Sequence, residues 1–247
     1  MRNSFNLLKL MKNILKILSL FIFLLLIIIK YGNTIIVSLE DNNDSISVGD
    51  VSSGTMTNGK RLPTSGDNFV TYSYLGSLIG RTHTNSYLKN LILEAYQILR
   101  ITNPKSCFVY GETSWKNGGY FWPHRTHKNG LSVDFMVPIL NENNEPVCLE
   151  TNVINKWGYA LEFDSTGKLD SYQIDFEAIA NHIKILNETA SKYNLKINRV
   201  IFDVNYHPLL DKTNSGKNLI NTILFTKFKP WVRHDEHYHI DFEFISN

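Results

Sequence analysis

Five of the eight histidines lie in two short segments, and their residue types and spacing are those of a metal site. The first segment, 124–134, reads HRTHKNGLSVD, and the second, 234–239, reads HDEHYH. Their candidate ligands and catalytic groups are His124, His127, Asp134, His234, His237 and His239. Imidazole nitrogens and a carboxylate oxygen are ligands that Zn²⁺ prefers. A single histidine in a strand is usually a packing residue, but two such clusters are improbable by chance, so we predict a zinc site.

The segments that carry these residues predict how the residues meet. HYHIDFEF (237–244) is typical of a strand, and residues two apart on a strand project to one face, so His237 and His239 point together. LSVDFMVPI (131–139) is a second predicted strand and contains Asp134. Three protein ligands leave one coordination position for water, whose pKa a bound zinc lowers to about 7. The pattern therefore predicts a catalytic metal site.

A folded domain is predicted over 69–247, after a polar segment, 31–68, whose Asn, Asp, Ser and Gly content predicts a linker. Helical periodicity predicts helices at 84–100, 175–193 and 218–228. Strands are predicted at 107–112, 131–139, 197–204 and 237–244. Because these elements follow no regular strand–helix–strand repeat, we predict an α+β fold. Its mainly antiparallel sheet, with flanking helices, carries the zinc site.

The N-terminal segment has the charge and hydropathy of an export signal. Residues 1–30 contain five basic and no acidic side chains, and 17–29 is an apolar run shorter than the ~20 residues of a bilayer span. We predict that 1–30 is a signal peptide or a membrane anchor, with 17–29 as the tether in the second case. The protein is then periplasmic or held at the outer face of the membrane. The rest of the chain has more acidic than basic side chains, which argues against a nucleic-acid partner.

The two cysteines, Cys107 and Cys148, leave two alternatives open. In an oxidising compartment they could form a disulfide, or each could be a separate small buried side chain. Neither has a second cysteine at C-x-x-C spacing, which argues against a zinc–thiolate site.

The two histidine segments resemble the zinc motifs of the penicillin-insensitive murein endopeptidases, a family within the lysostaphin-type and D-Ala-D-Ala metallopeptidases. NGGYFWPHRTHKNG (117–130) also resembles the Gly-Gly-x-Phe stretch that precedes the first motif of that family. The resemblance implies that the zinc ligands are His127, Asp134 and His239. It also implies that His237 acts as a general base or stabilises the transition state.

The same resemblance implies that His124 and His234 line the site, with His124 a ligand of a second or alternative metal. The sequence departs from the family at two places. Asp241 stands two positions after the last motif histidine, where the family commonly has arginine. Gly111-Glu112 stands where an Asp-Gly pair is expected before the glycine-rich stretch, with the order and the acid changed.

Four further residues are candidate substrate contacts: Glu112, Arg125, Tyr120 and Trp231. Glu112 could instead orient a ligand imidazole or be a solvated carboxylate at a strand end. Arg125 could bind a peptide carboxylate, and the two aromatic residues could wall a groove or pack in the core. His182 lies in a predicted amphipathic helix and is expected at the surface.

The function implied by this resemblance is hydrolysis of peptide crosslinks in bacterial peptidoglycan, whose peptide stems are the expected partner. One alternative is a catalytically silent zinc-containing module that binds wall peptides or regulates another hydrolase. Another is the same zinc chemistry acting as a D,D-carboxypeptidase or an amidase. The HxxHxH pattern at 234–239 favours the endopeptidase.

Overall fold

A computed structural model of the chain describes residues 2–227 and 232–245. The helices are α1 (Arg2–Ser38), α2 (Tyr74–Leu78), α3 (Ser86–Thr102), α4 (Phe176–Ala190), α5 (His207–Asp211) and α6 (Leu219–Thr222). Single 3₁₀ turns occur at Lys156–Gly158, Ser191–Tyr193 and Val204–Tyr206. The strands are β1 (Ile46–Val48), β2 (Thr55–Thr57), β3 (Lys60–Arg61), β4 (Phe69–Thr71), β5 (His83–Thr84), β6 (Phe108–Tyr110), β7 (Ser132–Met136), β8 (Ile139–Leu140), β9 (Pro146–Val147), β10 (Lys168–Leu169), β11 (Tyr172–Ile174), β12 (Leu195–Ile201) and β13 (His237–Phe244).

The largest sheet has five strands in the order β12-β13-β7-β6-β4. Neighbouring strands are antiparallel except β4 and β6, which run parallel. Smaller antiparallel sheets are formed by β1-β2, by β3-β5 and by β10-β11-β8-β9. The prediction of an α+β fold with a mainly antiparallel sheet is confirmed.

Helices α3 and α4 pack against each other and against one face of the large sheet. Each has an N-cap side chain that accepts a hydrogen bond from a backbone N–H of the first turn: Asn85 from Tyr87, and Asp175 from Ala178. The apolar face predicted for α3 is buried and consists of Leu88, Leu91, Ile92, Ala95 and Leu99. These helices fill one face of the sheet and leave the other face for the histidine cluster.

The surface position expected for His182 is wrong. Its ring is buried between α4 and the sheet, where it stacks on Tyr96 and contacts Phe108 and Phe135. Its Nδ1 lies 2.5 Å from the hydroxyl of Tyr238. Helical periodicity alone did not identify this residue as part of the buried face, because histidine is intermediate between the residue types that are usually buried and those that are usually exposed.

The stability of the protein is expected to fall in mild acid because of His182. Burial lowers its pKa to about 3, whereas a histidine in the unfolded chain has a pKa near 6.5. As pH falls below about 6.5, only the unfolded state takes up this proton, and the stabilisation is lost towards about pH 3. Between pH 6 and 4, His182 should contribute a slope of about 1.4 kcal/mol per pH unit to the free energy of unfolding.

The variant His182→Gln keeps a hydrogen-bonding partner for Tyr238 but does not titrate. Chemical denaturation of both proteins at several pH values should give a shallower acid slope for the variant. Parallel pH profiles would contradict the assignment.

The polar segment predicted as a linker, 31–68, is folded onto the domain, so the predicted boundary at residue 69 is wrong. Helix α1 extends to Ser38, and the segment also contains β1, β2 and β3. The side chains of Met56 and Leu62 are buried. Polar side chains bond to the backbone of other parts of the chain, as where Ser47 Oγ donates to Asn129 O at 2.6 Å. The composition therefore reflects turns with satisfied backbone groups and not an unstructured connection.

The helix predicted over 218–228 is much shorter in the structure. Only Leu219–Thr222 is helical, and Ile223 is extended. Phe225 then bridges to Val200 on β12, and its side chain is buried. Burial of this ring beside the edge strand outweighs the helical periodicity of the segment. Residue 228 lies outside the described residues.

Helix α1 is longer than the apolar run at 17–29. The part from Leu8 to Ser38 is long and apolar enough to cross a membrane, and none of its most apolar window is buried in the protein. Near the C-terminal end of the helix, however, Asn33 is fully buried against the domain. The helix thus has an exposed apolar part and a last part that packs on the folded domain.

Cys107 and Cys148 form a disulfide, with their Cα atoms 4.9 Å apart and a sequence separation of 41. Of the two alternatives, paired cysteines are therefore the one found.

We expect the double variant Cys107→Ser/Cys148→Ser to lose about 4 kcal/mol of unfolding free energy, because the open chain gains entropy when unfolded. Denaturation with and without reductant checks this: reductant should destabilise the wild type and leave the variant unchanged. A wild type that is insensitive to full reduction would contradict the expectation.

Candidate active site

The predicted metal ligands converge on the carboxylate of Asp134, in the middle of β7. On the neighbouring strand, His239 lies directly opposite Asp134, with its Nδ1 2.7 Å from Asp134 Oδ1. His127, in the loop before β7, places Nε2 3.2 Å from the same oxygen. All three side chains are buried. The pairing of β7 with β13 therefore brings together Asp134 and His239, which are 105 positions apart in the sequence.

The ring of His127 is oriented by the backbone. Its Nδ1–H donates to Thr113 O at 2.7 Å, so the lone pair of the neutral ring is at Nε2. That Nε2 is buried and has no hydrogen-bond partner. His127 also has a left-handed backbone, with φ of +66°, which is uncommon for a residue other than glycine. An unpartnered imidazole nitrogen beside a carboxylate is a suitable position for a metal ion.

The ring of His239 lies between two carboxylates. Its Nε2 is 2.7 Å from Asp241 Oδ1, and this leaves Nδ1 directed at Asp134. Burial alone would lower the pKa of His239, but Asp241 and Asp134 together raise it to about 10. Positive charge is therefore strongly stabilised at this point, as a cation site requires.

His124 extends the cluster towards the surface. Its Nδ1 lies 3.9 Å from Asp134 Oδ2, and its Nε2 lies 2.5 Å from Glu112 Oε2. One ligand atom each from His124, His127 and Asp134 lie within 4.8 Å of one another, so these three side chains form a group that could hold a metal ion. All three belong to the first motif segment, and His239 of the second segment joins them through Asp134.

Glu112 is buried, which excludes the solvated carboxylate among its alternatives. It forms an ion pair with Arg81 and accepts a hydrogen bond from the hydroxyl of Tyr72 at 2.8 Å. Burial alone would raise the pKa of Glu112, but its hydrogen bonds with Arg81 and His124 lower it to about 2. The ionised carboxylate therefore orients the imidazole of His124, which was one of the roles considered from the sequence.

His237 and His234 lie beside the carboxylate of Asp134. His237 Nε2 is 3.9 Å from Asp134 Oδ1, and its Nδ1 is 2.9 Å from Glu236 Oε1. The rings of His237 and His234 are 4.5 Å apart, and His234 Nδ1–H donates to Val232 O at 2.6 Å. Each ring therefore has a partner for Nδ1, which leaves Nε2 of the neutral ring as a hydrogen-bond acceptor. Burial and the nearby His237 lower the pKa of His234 to about 3.

Tyr159 belongs to this site and was not identified from the sequence. Its hydroxyl donates to Asp134 Oδ2 at 2.9 Å and accepts the backbone N–H of Glu112 at 3.1 Å. Its ring lies 5.1 Å from that of His237. Tyr159 follows a single 3₁₀ turn in an irregular segment, so neither motif spacing nor periodicity pointed to it.

The order and spacing of these residues along the chain allow a comparison with known families. A profile of the penicillin-insensitive murein endopeptidases matches residues 47–245. The chain belongs to this family. Comparison with individually curated proteins gave no match. The predicted family is confirmed, and with it the prediction of a peptidase that acts on peptidoglycan in a cell-wall setting. Residues 47–68, predicted as part of a linker, lie inside the matched region.

In this murein endopeptidase, Asp241 has a clear structural role at the position where its sequence departs from the family pattern. Besides His239, its carboxylate accepts hydrogen bonds from Ser132 Oγ and Arg199 Nε, both at 2.6 Å. Burial alone would raise the pKa of Asp241, but His239 and these neighbours lower it well below the usual range. An aspartate here fixes the ring of His239, which could have been anticipated because positions 239 and 241 share a strand face.

Two of the remaining candidate substrate contacts of the endopeptidase, Tyr120 and Arg125, belong to the segment of the first motif. Tyr120 is 74% exposed, which excludes packing in the core as its role. Arg125 is also exposed, whereas the neighbouring Phe121 is buried beside His124 and His127. Trp231 lies outside the described residues. The first motif therefore presents exposed side chains next to a buried histidine cluster.

Proposed function

We propose that this murein endopeptidase is zinc-dependent and hydrolyses peptide crosslinks of peptidoglycan, with His127, Asp134 and His239 as the zinc ligands. The observation that carries the proposal is the buried Nε2 of His127, which has no hydrogen-bond partner and faces Asp134 Oδ1. Two imidazole nitrogens and one carboxylate oxygen fit zinc and leave a coordination position open. Bound zinc would polarise the scissile carbonyl group and lower the pKa of a water molecule.

His237 is the proposed general base. Its Nδ1 is bonded to the carboxylate of Glu236, so Nε2 presents a lone pair towards the site. The ring takes a proton from the attacking water, and Glu236 stabilises the resulting imidazolium. The same proton is then delivered to the leaving amine. Glu236 was not singled out in the sequence, although it directly precedes His237.

His234 is proposed as a neutral hydrogen-bond acceptor beside His237, because burial and the nearby His237 lower its pKa to about 3. Stabilisation of an oxyanion, the role considered from the sequence, needs a hydrogen-bond donor. Since Nδ1–H is already bonded to Val232 O, the neutral ring offers only a lone pair at Nε2. His124, held by Glu112, is proposed as a further or alternative metal ligand, and Tyr159 as the group that positions Asp134 Oδ2.

The exposed Tyr120 and Arg125 are proposed to contact the peptide stem, together with Trp231. We also propose that the protein is exported, with the domain outside the cytoplasmic membrane. Basic residues flank the cytoplasmic end of the apolar part of α1 in this orientation, as the positive-inside rule predicts. Periplasmic residence and tethering at the outer face of the membrane both agree with this orientation.

Mass spectrometry of crosslinked muropeptides incubated with the zinc-loaded protein tests the proposal. We expect each crosslinked dimer to be cut into two peptides, activity to be lost on chelation, and activity to return with zinc. Release of terminal D-alanine or of free sugar would instead indicate a carboxypeptidase or an amidase. Unchanged fragments with zinc bound would indicate a wall-peptide-binding module, and full hydrolysis by His239→Ala would contradict the ligand assignment.

A further inference from the structure

We propose that the catalytic domain is held directly on the lipid bilayer by a docked α1 and by an apolar patch formed by Leu75, Val153 and Ile154. This inference rests on the proposed export and names the bilayer as the partner of one face of the domain. In this proposal, α1 and the domain form one rigid unit, and the apolar patch therefore lies at a fixed depth relative to the membrane.

The C-terminal part of α1 is packed on the domain through specific polar and apolar contacts. The buried Asn33 donates from Nδ2 to Leu62 O at 3.0 Å and accepts from Arg61 Nη1 at 3.0 Å. One residue earlier, Gly32 lies against α2, and a Cβ atom there would be 2.7 Å from a methyl group of Leu78. A leucine side chain at Gly32 would extend past this methyl group and disturb the contact between α1 and α2.

Ion pairs continue this attachment beyond the end of α1. Glu40 accepts the backbone N–H of Arg61 at 2.7 Å and pairs with Lys89 at 3.1 Å. Asp41 pairs with Lys60 at 2.7 Å. The chain that leaves the helix is thus bonded to the domain within three residues of Ser38. Over these residues, no flexible linker separates the helix from the domain. A bilayer that surrounds α1 therefore has a fixed position relative to the domain.

The apolar part of α1 sets the depth of the bilayer. Between Lys12 and Lys30, the only charged residue is Lys16, and this stretch is about 26 Å long as a helix. That length is close to the ~30 Å thickness of the hydrocarbon core. Lysine side chains near the ends of the stretch can extend along the helix to the headgroups. Ile29 therefore lies where the hydrocarbon core meets the outer headgroups.

At the level of Ile29, the domain exposes the apolar patch. Ile29 lines one groove together with Tyr74, Leu75, Asn152 and Trp157. Leu75 is 40% exposed, and directly after Asn152 come Val153, 70% exposed, and Ile154, 91% exposed. Large apolar side chains with this exposure lose contact with water when they enter a bilayer interface.

The composition around the patch agrees with an interface of lipid headgroups. Tyr74 and Trp157 are the residue types enriched at membrane–water boundaries. Lys30 and Lys156 are exposed beside them and can attract anionic phosphates. The segment that carries the patch continues to Tyr159, which bonds to Asp134 in the active site. Contact with lipid at Ile154 therefore also sets the orientation of the active site relative to the membrane.

Depth-dependent fluorescence quenching tests this inference on the full chain in vesicles of phosphatidylethanolamine and phosphatidylglycerol. Because both native cysteines are in the disulfide, Ile154→Cys can be labelled alone with an environment-sensitive fluorophore. The matched control is Lys196→Cys on β12, at the opposite edge of the sheet and about 19 Å from β4 by strand spacing. We expect spin-labelled lipid to quench the label at 154 at least threefold more than the label at 196.

Equal quenching at the two positions would overturn the inference. In the Ile154→Cys background, Gly32→Leu should release α1 and reduce the quenching at least by half, and unchanged quenching would contradict docking. Zinc content and hydrolysis of soluble muropeptides are measured on the same samples. Absence of bound zinc and of hydrolysis would contradict the proposed function. The membrane contact is decided separately, by the quenching results.

Discussion

Replacement of His127 by alanine is expected to remove the bound metal and peptide hydrolysis together. Among the proposed ligand atoms, the Nε2 of this residue is the one that the structure leaves buried and without a hydrogen-bond partner, and the bond from Nδ1–H to Thr113 O holds it facing the site. Metal content after dialysis should fall from about one ion per chain to background, and kcat/KM should fall to the level of the metal-free protein. Elemental analysis and the muropeptide assay measure the two quantities.

The matched variant is His237→Ala, which should separate the two effects. His237 takes part in proton transfer in the proposed mechanism, so its loss should leave the metal bound and reduce kcat by about 10²–10⁴-fold. Near-normal turnover of His237→Ala would contradict its role as base. Full metal content in His127→Ala would contradict the ligand set, even if that variant is inactive.

Replacement of Asp241 by alanine is expected to weaken metal affinity by about 10–100-fold. Asp241 holds Nε2–H of His239, which keeps Nδ1 directed at Asp134. Without the carboxylate, the ring can rotate and either nitrogen can carry the proton. Competition with a chromophoric chelator measures the change in Kd for zinc.

Two control variants separate the positioning of His239 from general damage around Asp241. Asp241→Asn retains an amide oxygen that can accept from His239 and should recover most of the affinity. Arg199→Ala removes another donor to the same carboxylate without altering the contact with His239 and should bind zinc nearly as the wild type does. Equal zinc affinity for Asp241→Ala and the wild type would contradict the role of Asp241.

Much of the site could be predicted from local patterns. The two histidine segments identify the family and the residue types of the site, and strand periodicity places His237 and His239 on one face. Capping and periodicity predict α3 and α4 because helix formation depends on residues three to four positions apart. These features are encoded within a few residues of chain, where sequence spacing translates directly into geometry.

Other parts depended on contacts between distant residues. The register of β7 and β13 decides that His239 faces Asp134, and loop packing brings Tyr159 to the same carboxylate. The polar segment 31–68 was predicted as a linker because its side chains are those of turns, and only their long-range hydrogen bonds distinguish a folded segment from a disordered one. His182 was expected at the surface for a similar reason, since its burial depends on the sheet beneath α4.

The sequence by itself therefore determined the family, the residue types of the proposed metal site and the presence of an apolar N-terminal segment. Tertiary structure alone decided which nitrogen of each histidine faces the site, which carboxylates hold the rings, and how α1 is attached. The physical reason is that ring orientation depends on hydrogen bonds to Thr113, Glu112 and Asp241, and two of these acceptors reach their histidines across loops of the fold. Such bonds depend on the packing of the whole domain, which local spacing does not specify.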